Sequence, residues 1–286
     1  MSEKIGRKIA VVTDSTSDLP HELAEEHGIR IIPQVLIMGT KTWRDGVDID
    51  PPAFYELLQT SPDFPASSQP SVADFREAFE ELAKDADGIA AILVSDELSG
   101  TINSARMAKE SLPDVPIEIV DTRSVSVQLG FIAIAAARAA AAGADLQTVA
   151  DTARAMIGKV GVYFVVDTLE YLHRGGRIGA AARLFGTALN LKPLLAIKDG
   201  MVHPVTKVRS RRKALATLFQ LLDEELAGKE GIHMAVLHVA APEEAARLAD
   251  QLVERFHPVE MLHTECGPVV GTHAGPGTVG VVYYSE

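Results

Sequence analysis

Apolar residues along the chain fall into short runs separated by polar turns and by stretches with helical spacing. Residues 9–12 and 29–38 read as strands, a helix starts near Leu19, and residues 52–58 read as the next helix. Residues 75–84 place Phe75, Ala78, Phe79 and Leu82 on one face of a helix. A buried strand over 89–94, a helix over 101–111 and a strand over 117–120 follow. The recurring unit of strand, polar turn and helix predicts a mostly parallel, Rossmann-like sheet with helices on both faces.

Residues 128–143 form an Ala-rich helix pattern, and 146–157 another with Asp145 as its N-cap. The pattern then changes. Residues 160–166 are strongly β-prone, 178–189 read as helical, and the runs 194–197 and 201–208 flank the turn Lys198-Asp199-Gly200 as a hairpin. A long helix over 211–226, a strand over 234–239, a helix over 242–256 and strands over 259–263 and 280–284 complete a second, mixed α/β unit. The expected fold is α/β with two domains, 1–158 and 159–286.

Composition narrows the function. The chain has 286 residues, 47% hydrophobic and 23% charged, with a net charge of −12, which argues against a general affinity for nucleic-acid backbone or an anionic membrane. Its one cysteine, Cys266, excludes an intramolecular disulfide and any multi-cysteine zinc site. The polar opening, residues 1–8, and the short run 9–12 show no export signal, and the most apolar stretch, 131–142, is interrupted by Arg138. A cytoplasmic protein without stable membrane insertion is expected. The nine histidines are dispersed, and His21-Glu22 lacks the second histidine of a zinc helix, so no metal is expected.

Candidate chemistry sits in the turns. The first strand runs into Thr13-Asp14-Ser15-Thr16-Ser17-Asp18, where Ser17 or Asp18 suits a helix N-cap. Similar turns recur at Ser95-Asp96-Glu97-Leu98-Ser99-Gly100-Thr101 and Asp121-Thr122-Arg123-Ser124. In a parallel sheet such turns share the carboxyl end of the strands, where hydroxyls and helix amides receive anions. Ser67-Ser68-Gln69-Pro70-Ser71 adds hydroxyls ahead of a helix, and Gly271-Thr272-His273-Ala274-Gly275-Pro276-Gly277-Thr278 reads as a glycine-rich loop that brings a histidine to a ligand. Two basic clusters, around Arg174-Gly175-Gly176-Arg177 and from Lys207 to Lys213, suit either a docking face or solvated helix ends. Neither a dinucleotide fingerprint nor a P-loop occurs.

Taken in order, these turns resemble the DegV family of bacterial fatty-acid-binding proteins. The matching residues are Val12-Thr13-Asp14-Ser15-Thr16-Ser17-Asp18-Leu19-Pro20, Asp45-Gly46-Val47-Asp48-Ile49, Ser68-Gln69-Pro70-Ser71, Leu98-Ser99-Gly100-Thr101, Arg174-Gly175-Gly176-Arg177-Ile178, Lys207-Val208-Arg209 and His273-Ala274-Gly275-Pro276-Gly277. The resemblance implies a single long-chain fatty acid as a ligand between the two domains, with its carboxylate held by Ser67, Ser99 and His273 and its acyl chain in a buried tunnel. It also implies a non-enzymatic, lipid-binding subunit of bacterial fatty acid kinase. Such a subunit presents the carboxylate to a separate ATP-dependent kinase whose acyl-phosphate product feeds phospholipid synthesis, and it needs no cofactor beyond the bound lipid. Arg177 and Arg209 match positions implicated in engaging that kinase. Position 67 departs from the family's usual threonine but keeps the hydroxyl.

The physics of such a ligand is favourable. Burying ~14 methylenes at ~0.8 kcal/mol each contributes on the order of 10 kcal/mol before ordering costs. The carboxylate's desolvation is offset only where two or three donors converge, at ~1.5–3 kcal/mol each. Hydroxyls in place of an arginine clamp would leave the carboxylate oxygens free to attack a phosphoryl group. Two other readings use the same residues: a serine hydrolase built on Ser99, His273 and an aspartate such as Asp14, and a binding module for a phosphorylated metabolite. Against the hydrolase, Glu97-Leu98-Ser99-Gly100-Thr101 is not a Gly-x-Ser-x-Gly elbow.

Overall fold

The computed structural model describes residues 8–186 and 191–286. The first part of the chain forms β1 (Ile9–Asp14), α1 (His21–Glu26), β2 (Ile29–Ile32), β3 (Val35–Met38), β4 (Lys41–Arg44), α2 (Pro51–Thr60) and β5 (Ala66–Ser68). It continues through α3 (Val72–Leu82), β6 (Gly88–Leu93), α4 (Thr101–Glu110), β7 (Ile117–Asp121), α5 (Val127–Ala141) and α6 (Leu146–Met156). The rest comprises β8 (Gly161–Val165), α7 (Glu170–Arg174), β9 (Leu194–Lys198), β10 (Met201–Thr206), α8 (Arg211–Leu226), β11 (Ile232–His238), α9 (Pro242–Phe256), β12 (Glu260–Glu265), α10 (Pro268–Ala274) and β13 (Val279–Ser285).

Four strands make a wholly parallel sheet in the order β2-β1-β6-β7. Helices α3 and α4 cover one face, where Phe75, Phe79 and Ile102 pack on Ala91 and Leu93. Alternate residues of the same strands, Ala90 and Ile92, point the other way and meet α5 and α6. Asp145 caps α6 by accepting from the Thr148 N–H at 2.8 Å, as its sequence position predicts.

Six strands make a mixed sheet in the order β10-β9-β8-β13-β11-β12, with only the β11–β12 pair parallel. Its outer face, with Val165, Val236 and Val281, lies under Leu218 and Leu222 of α8 and Leu248 and Leu252 of α9. Its inner face, with Val162, Phe164, Leu237 and Tyr284, joins the cluster that contains α5. Helix α5 therefore lies between the two sheets. Leu129, Phe131, Ile132, Ala133, Ile134 and Ala136 are all buried, the all-round apolar pattern of a helix with no face to water. Among the described residues no helix is long and apolar enough to cross a membrane.

Several local expectations change. The apolar run 29–38 is two strands, because Pro33 has no N–H to give a ladder and the chain turns there out of the parallel sheet. β3 then pairs antiparallel with β4 and β5, two short strands that the apolar pattern did not predict, in a small third sheet. Neither Ser17 nor Asp18 caps α1. Asp14 caps a 3₁₀ turn over Ser15–Ser17, Asp18 takes a left-handed conformation at φ 49°, and α1 begins after Pro20. A 3₁₀ turn over Gly179–Leu184 stands where a helix over 178–189 was expected, and residues 187–190 lie outside the described residues. His273 lies on α10, ahead of Gly275, and not in a loop.

Candidate functional site

The short helix α10 carries His273 into the gap between the sheets. Its start is fixed from the first half of the chain: Asp18 Oδ1 accepts from the Gly267 N–H at 2.8 Å, and the Tyr55 hydroxyl donates to the Cys266 carbonyl at 2.6 Å. His273 Nε2 then lies 2.7 Å from Ser67 Oγ on β5, which is held opposite Leu36 of β3. The other ring nitrogen rests against the backbone of Gly175. A Cβ on Gly175 would stand 2.1 Å from His273 Nδ1, so only glycine fits under the ring. Nδ1 is buried with no hydrogen-bond partner among the described residues. Burial, with the nearby Arg177 guanidinium adding to it, lowers the His273 pKa to about 4 and leaves the imidazole neutral at pH 7.

Ser99 lies in the turn between β6 and α4, with its Oγ 2.8 Å from Thr101 Oγ1. Thr101 Oγ1 accepts from Gln34 Nε2 at 3.2 Å, and the same nitrogen donates to Asp14 Oδ1 at 2.9 Å. Asp14 also receives the Val94 N–H, the Thr16 N–H and the Thr16 hydroxyl. Arg177 joins the two sides of the site, its Nε donating to the Leu98 carbonyl at 3.0 Å and its Nη1 to the Gly175 carbonyl at 2.7 Å.

These groups border one cavity of about 850 Å³, its open mouth included. Ser67, Gln69, Ser99, Arg177 and His273 form a polar patch in its lining, and all of them are half-buried or exposed. Val162, Phe164, Val202 and Leu237, from the inner face of the six-stranded sheet, supply an apolar wall together with Val94, the residue after β6, and all five are buried. The polar patch is thus the more exposed part of the lining and the apolar wall the more buried part. The β9–β10 hairpin, whose Ile197 and Val202 line the cavity, is pinned at its tip by Ser95 Oγ, which donates to the Gly200 carbonyl at 2.9 Å, and by Arg123, which donates to Asp199.

Beneath α10 lie two more buried carboxyl groups. Asp18 accepts from Ser126, and Asp45 accepts from Ser15 at 2.7 Å. Burial, reinforced at Asp18 by the charge of Asp45 and at Asp45 by that of Asp14, raises both to about 7. Among the described residues no group of three or more His, Cys, Asp or Glu side chains is placed to hold a metal ion.

The fold brings Ser67, Ser99 and His273 to the lining of one cavity, although 174 residues separate Ser99 from His273 in the chain (273 − 99). Arg177 stands in the same wall with two of its nitrogens committed to carbonyls, so the polar patch holds a guanidinium as well as hydroxyls and imidazole. Arg209 is exposed beyond the end of β10, outside the cavity lining. Arg211, from the same basic cluster, is taken up by Glu244 at 2.7 Å and Asp167 at 2.8 Å. The hydrolase constellation is not assembled: Ser99 pairs with Thr101, His273 with Ser67, and Asp14 with Thr16, Gln34 and Val94. Without a carboxylate on Nδ1, His273 lacks the group that orients a catalytic base. The sequence reading missed Gln34, which follows Pro33 in no recognisable motif, and gave no role to Gln69 or Thr101 beyond their places in the SQPS and LSGT runs.

Comparison with known proteins agrees with this arrangement. A family model described as an uncharacterised protein of the DegV family matches residues 8–286. A DegV domain-containing protein of Streptomyces coelicolor is 41% identical over 284 residues, covering 99% of this chain and 100% of that one. The structure of a DegV family protein from Thermus thermophilus, described as fatty acid binding, superposes with a TM-score of 0.92 at 34% identity, over 98% of this chain and all of the other. DegV of Bacillus subtilis, described as a fatty acid binding protein, superposes equally well at 32% identity over the same shares. Since fold, motif order and sequence identity all extend over nearly the whole length, the chain belongs to the DegV family.

Proposed function

We propose that this protein binds one long-chain fatty acid, its acyl chain against the apolar wall and its carboxylate at Ser67, Ser99 and His273. The observation that carries the reading is the division of one cavity into a buried apolar wall and a half-buried patch of hydroxyl, imidazole and guanidinium donors. Burial of the tail at ~0.8 kcal/mol per methylene dominates affinity, and each hydrogen bond to the carboxylate adds ~1.5–3 kcal/mol. The neutral His273 fits a role as hydrogen-bond donor to Ser67, and acts on the carboxylate through that hydroxyl. With Nδ1 unpaired, the favoured tautomer carries its proton on Nε2, because a buried bare acceptor costs less than a buried unpaired N–H. Nε2–H then donates to Ser67, whose own hydrogen turns towards the ligand.

In this reading the protein is a carrier and not a catalyst. The carboxylate, placed near the cavity mouth, is presented to a separate ATP-dependent fatty acid kinase that forms the acyl-phosphate. Two features support it: the chain has no P-loop, and its head-group patch lies where a partner can reach it. Arg177 and the exposed Arg209 are the proposed docking residues. Denaturing the purified protein, extracting it with organic solvent and analysing the extract by mass spectrometry tests the ligand. Near-stoichiometric fatty acid is expected, whereas an empty extract from protein that also fails to take up added fatty acid overturns the reading.

A further inference from the structure

The polar side of the cavity contains a hydrogen-bond chain whose direction is set away from the ligand. Asp14 lies at the end of β1, fully buried, and its Oδ1 receives two nitrogens, the Thr16 N–H and Gln34 Nε2. A backbone N–H occupies each carboxyl oxygen, Thr16 on Oδ1 and Val94 on Oδ2, so Asp14 faces Gln34 as an acceptor and the amide presents its nitrogen to it. That nitrogen's second hydrogen goes to Thr101 Oγ1. Thr101 is fully buried and Gln34 nearly so. Having accepted from Gln34, Thr101 has one hydrogen of its own, and among the described residues the acceptor in reach is Ser99 Oγ at 2.8 Å. Ser99 in turn has only the cavity left for its hydrogen.

We infer that Gln34, anchored on Asp14 and acting through Thr101, is a positioning residue that holds Ser99 as a hydrogen-bond donor into the cavity, so that the site selects head groups that only accept, such as an ionised carboxylate. The inference rests on the fatty-acid reading and deepens it. With Ser99 and Ser67 both directed inward as donors, a carboxylate offers each an oxygen. A primary alcohol of the same chain length brings a hydrogen that meets two hydroxyl hydrogens already pointing at it. Selectivity for the acid over the alcohol then depends on two residues behind Ser99: Thr101, which is outside the cavity lining, and Gln34, which borders the cavity and stands 65 positions from Ser99 in the chain (99 − 34).

The test compares hexadecanoate and hexadecanol binding to delipidated protein in the wild type and in Gln34→Met, Thr101→Val and Thr101→Ser. Met and Val keep the volume but remove the donors, while Ser keeps the hydroxyl. The expected result is that Gln34→Met and Thr101→Val each narrow the acid-over-alcohol ratio by roughly tenfold, the worth of one oriented hydrogen bond to a charge. Alcohol affinity should change little, and Thr101→Ser should retain the wild-type ratio. If Gln34→Met does not fold, the Thr101 pair decides alone. Acid and alcohol weakening together, an unchanged ratio, or a Thr101→Ser ratio as narrow as that of Thr101→Val would overturn the role of Gln34. Wild-type protein that binds neither compound overturns the fatty-acid reading itself, and this inference with it.

Discussion

Replacing Gly175 with alanine probes the site without removing any of its polar groups. The new methyl carbon would stand 2.1 Å from His273 Nδ1 and 2.8 Å from Cε1. An ordinary contact is ~3.5 Å, so the ring or the α7 turn must give way by about 1.4 Å. The turn is held by the Gly175 N–H bond to the Tyr171 carbonyl and by Arg177 on the Gly175 carbonyl. The imidazole, tied to the rest of the molecule through Ser67, is the softer side. A displacement of that size breaks a 2.7 Å hydrogen bond, leaving Ser67 free to turn away from the ligand. Fatty acid affinity is expected to fall by about 10- to 100-fold, from the loss of one oriented donor at ~1.5–3 kcal/mol, with overpacking taking a further ~1–3 kcal/mol from stability. Calorimetric titration of delipidated protein measures the first and thermal unfolding the second. NMR titration of His273 supplies an independent readout, because a ring pushed out of its buried position should titrate above its present value of about 4, closer to 6.5. Unchanged affinity together with an unchanged His273 titration would refute the reasoning.

Three further outcomes follow from the same structure. Asp18 holds a proton in the folded state up to about pH 7 that the unfolded chain loses near 3.8, so its contribution to stability declines as pH rises through that window. His273 works the other way, adding stability between about pH 4 and 6.5, so the comparison of wild type with Asp18→Asn isolates the carboxyl. Denaturant unfolding at a series of pH values should show a shallower decline in the variant, and parallel curves would rule the assignment out. Val162→Phe narrows the apolar wall and should shift the extracted fatty acids towards shorter chains at similar total occupancy, whereas an unchanged profile would place the tail elsewhere. Arg209→Ala, outside the cavity, should leave bound lipid unchanged while slowing acyl-phosphate formation with a cognate kinase; equal rates would remove Arg209 from the docking surface.

The layered architecture was largely legible from periodicity. The expected bounds of α8 and α9 coincide with the structure, because both helices carry a sustained apolar face between clear stops. The three-residue strand that holds Ser67 is too short to show a period, and the Gly-Thr-His-Ala-Gly-Pro-Gly run reads as a loop although its first half is helical. Ser67, Ser99 and His273 stood out through motif resemblance, not through any local pattern. Gln34 was illegible because its meaning lies in two contacts, with Asp14 and Thr101, at separations of 20 and 67 residues. The cavity wall was equally hidden, since Val162, Phe164 and Leu237 alternate as core residues do. Periodicity tells which face turns inward, not whether that face meets protein or a guest molecule.

Helix α5 has a consequence for any attempt to take the protein apart. Its Phe131 packs edge-on against Tyr284 of the last strand at 5.2 Å, and its Gln128 side chain donates to the Val160 carbonyl at 2.7 Å. The same helix roofs the parallel sheet through Ile134. Cutting the chain after residue 158 would strand this hydrophobic rod on one fragment with half its circumference wet, and leave the other fragment with a bare β-surface. Shuffling experiments that exchange one half between relatives must therefore match both sides of α5, or the chimera will carry a mismatched seam through its middle.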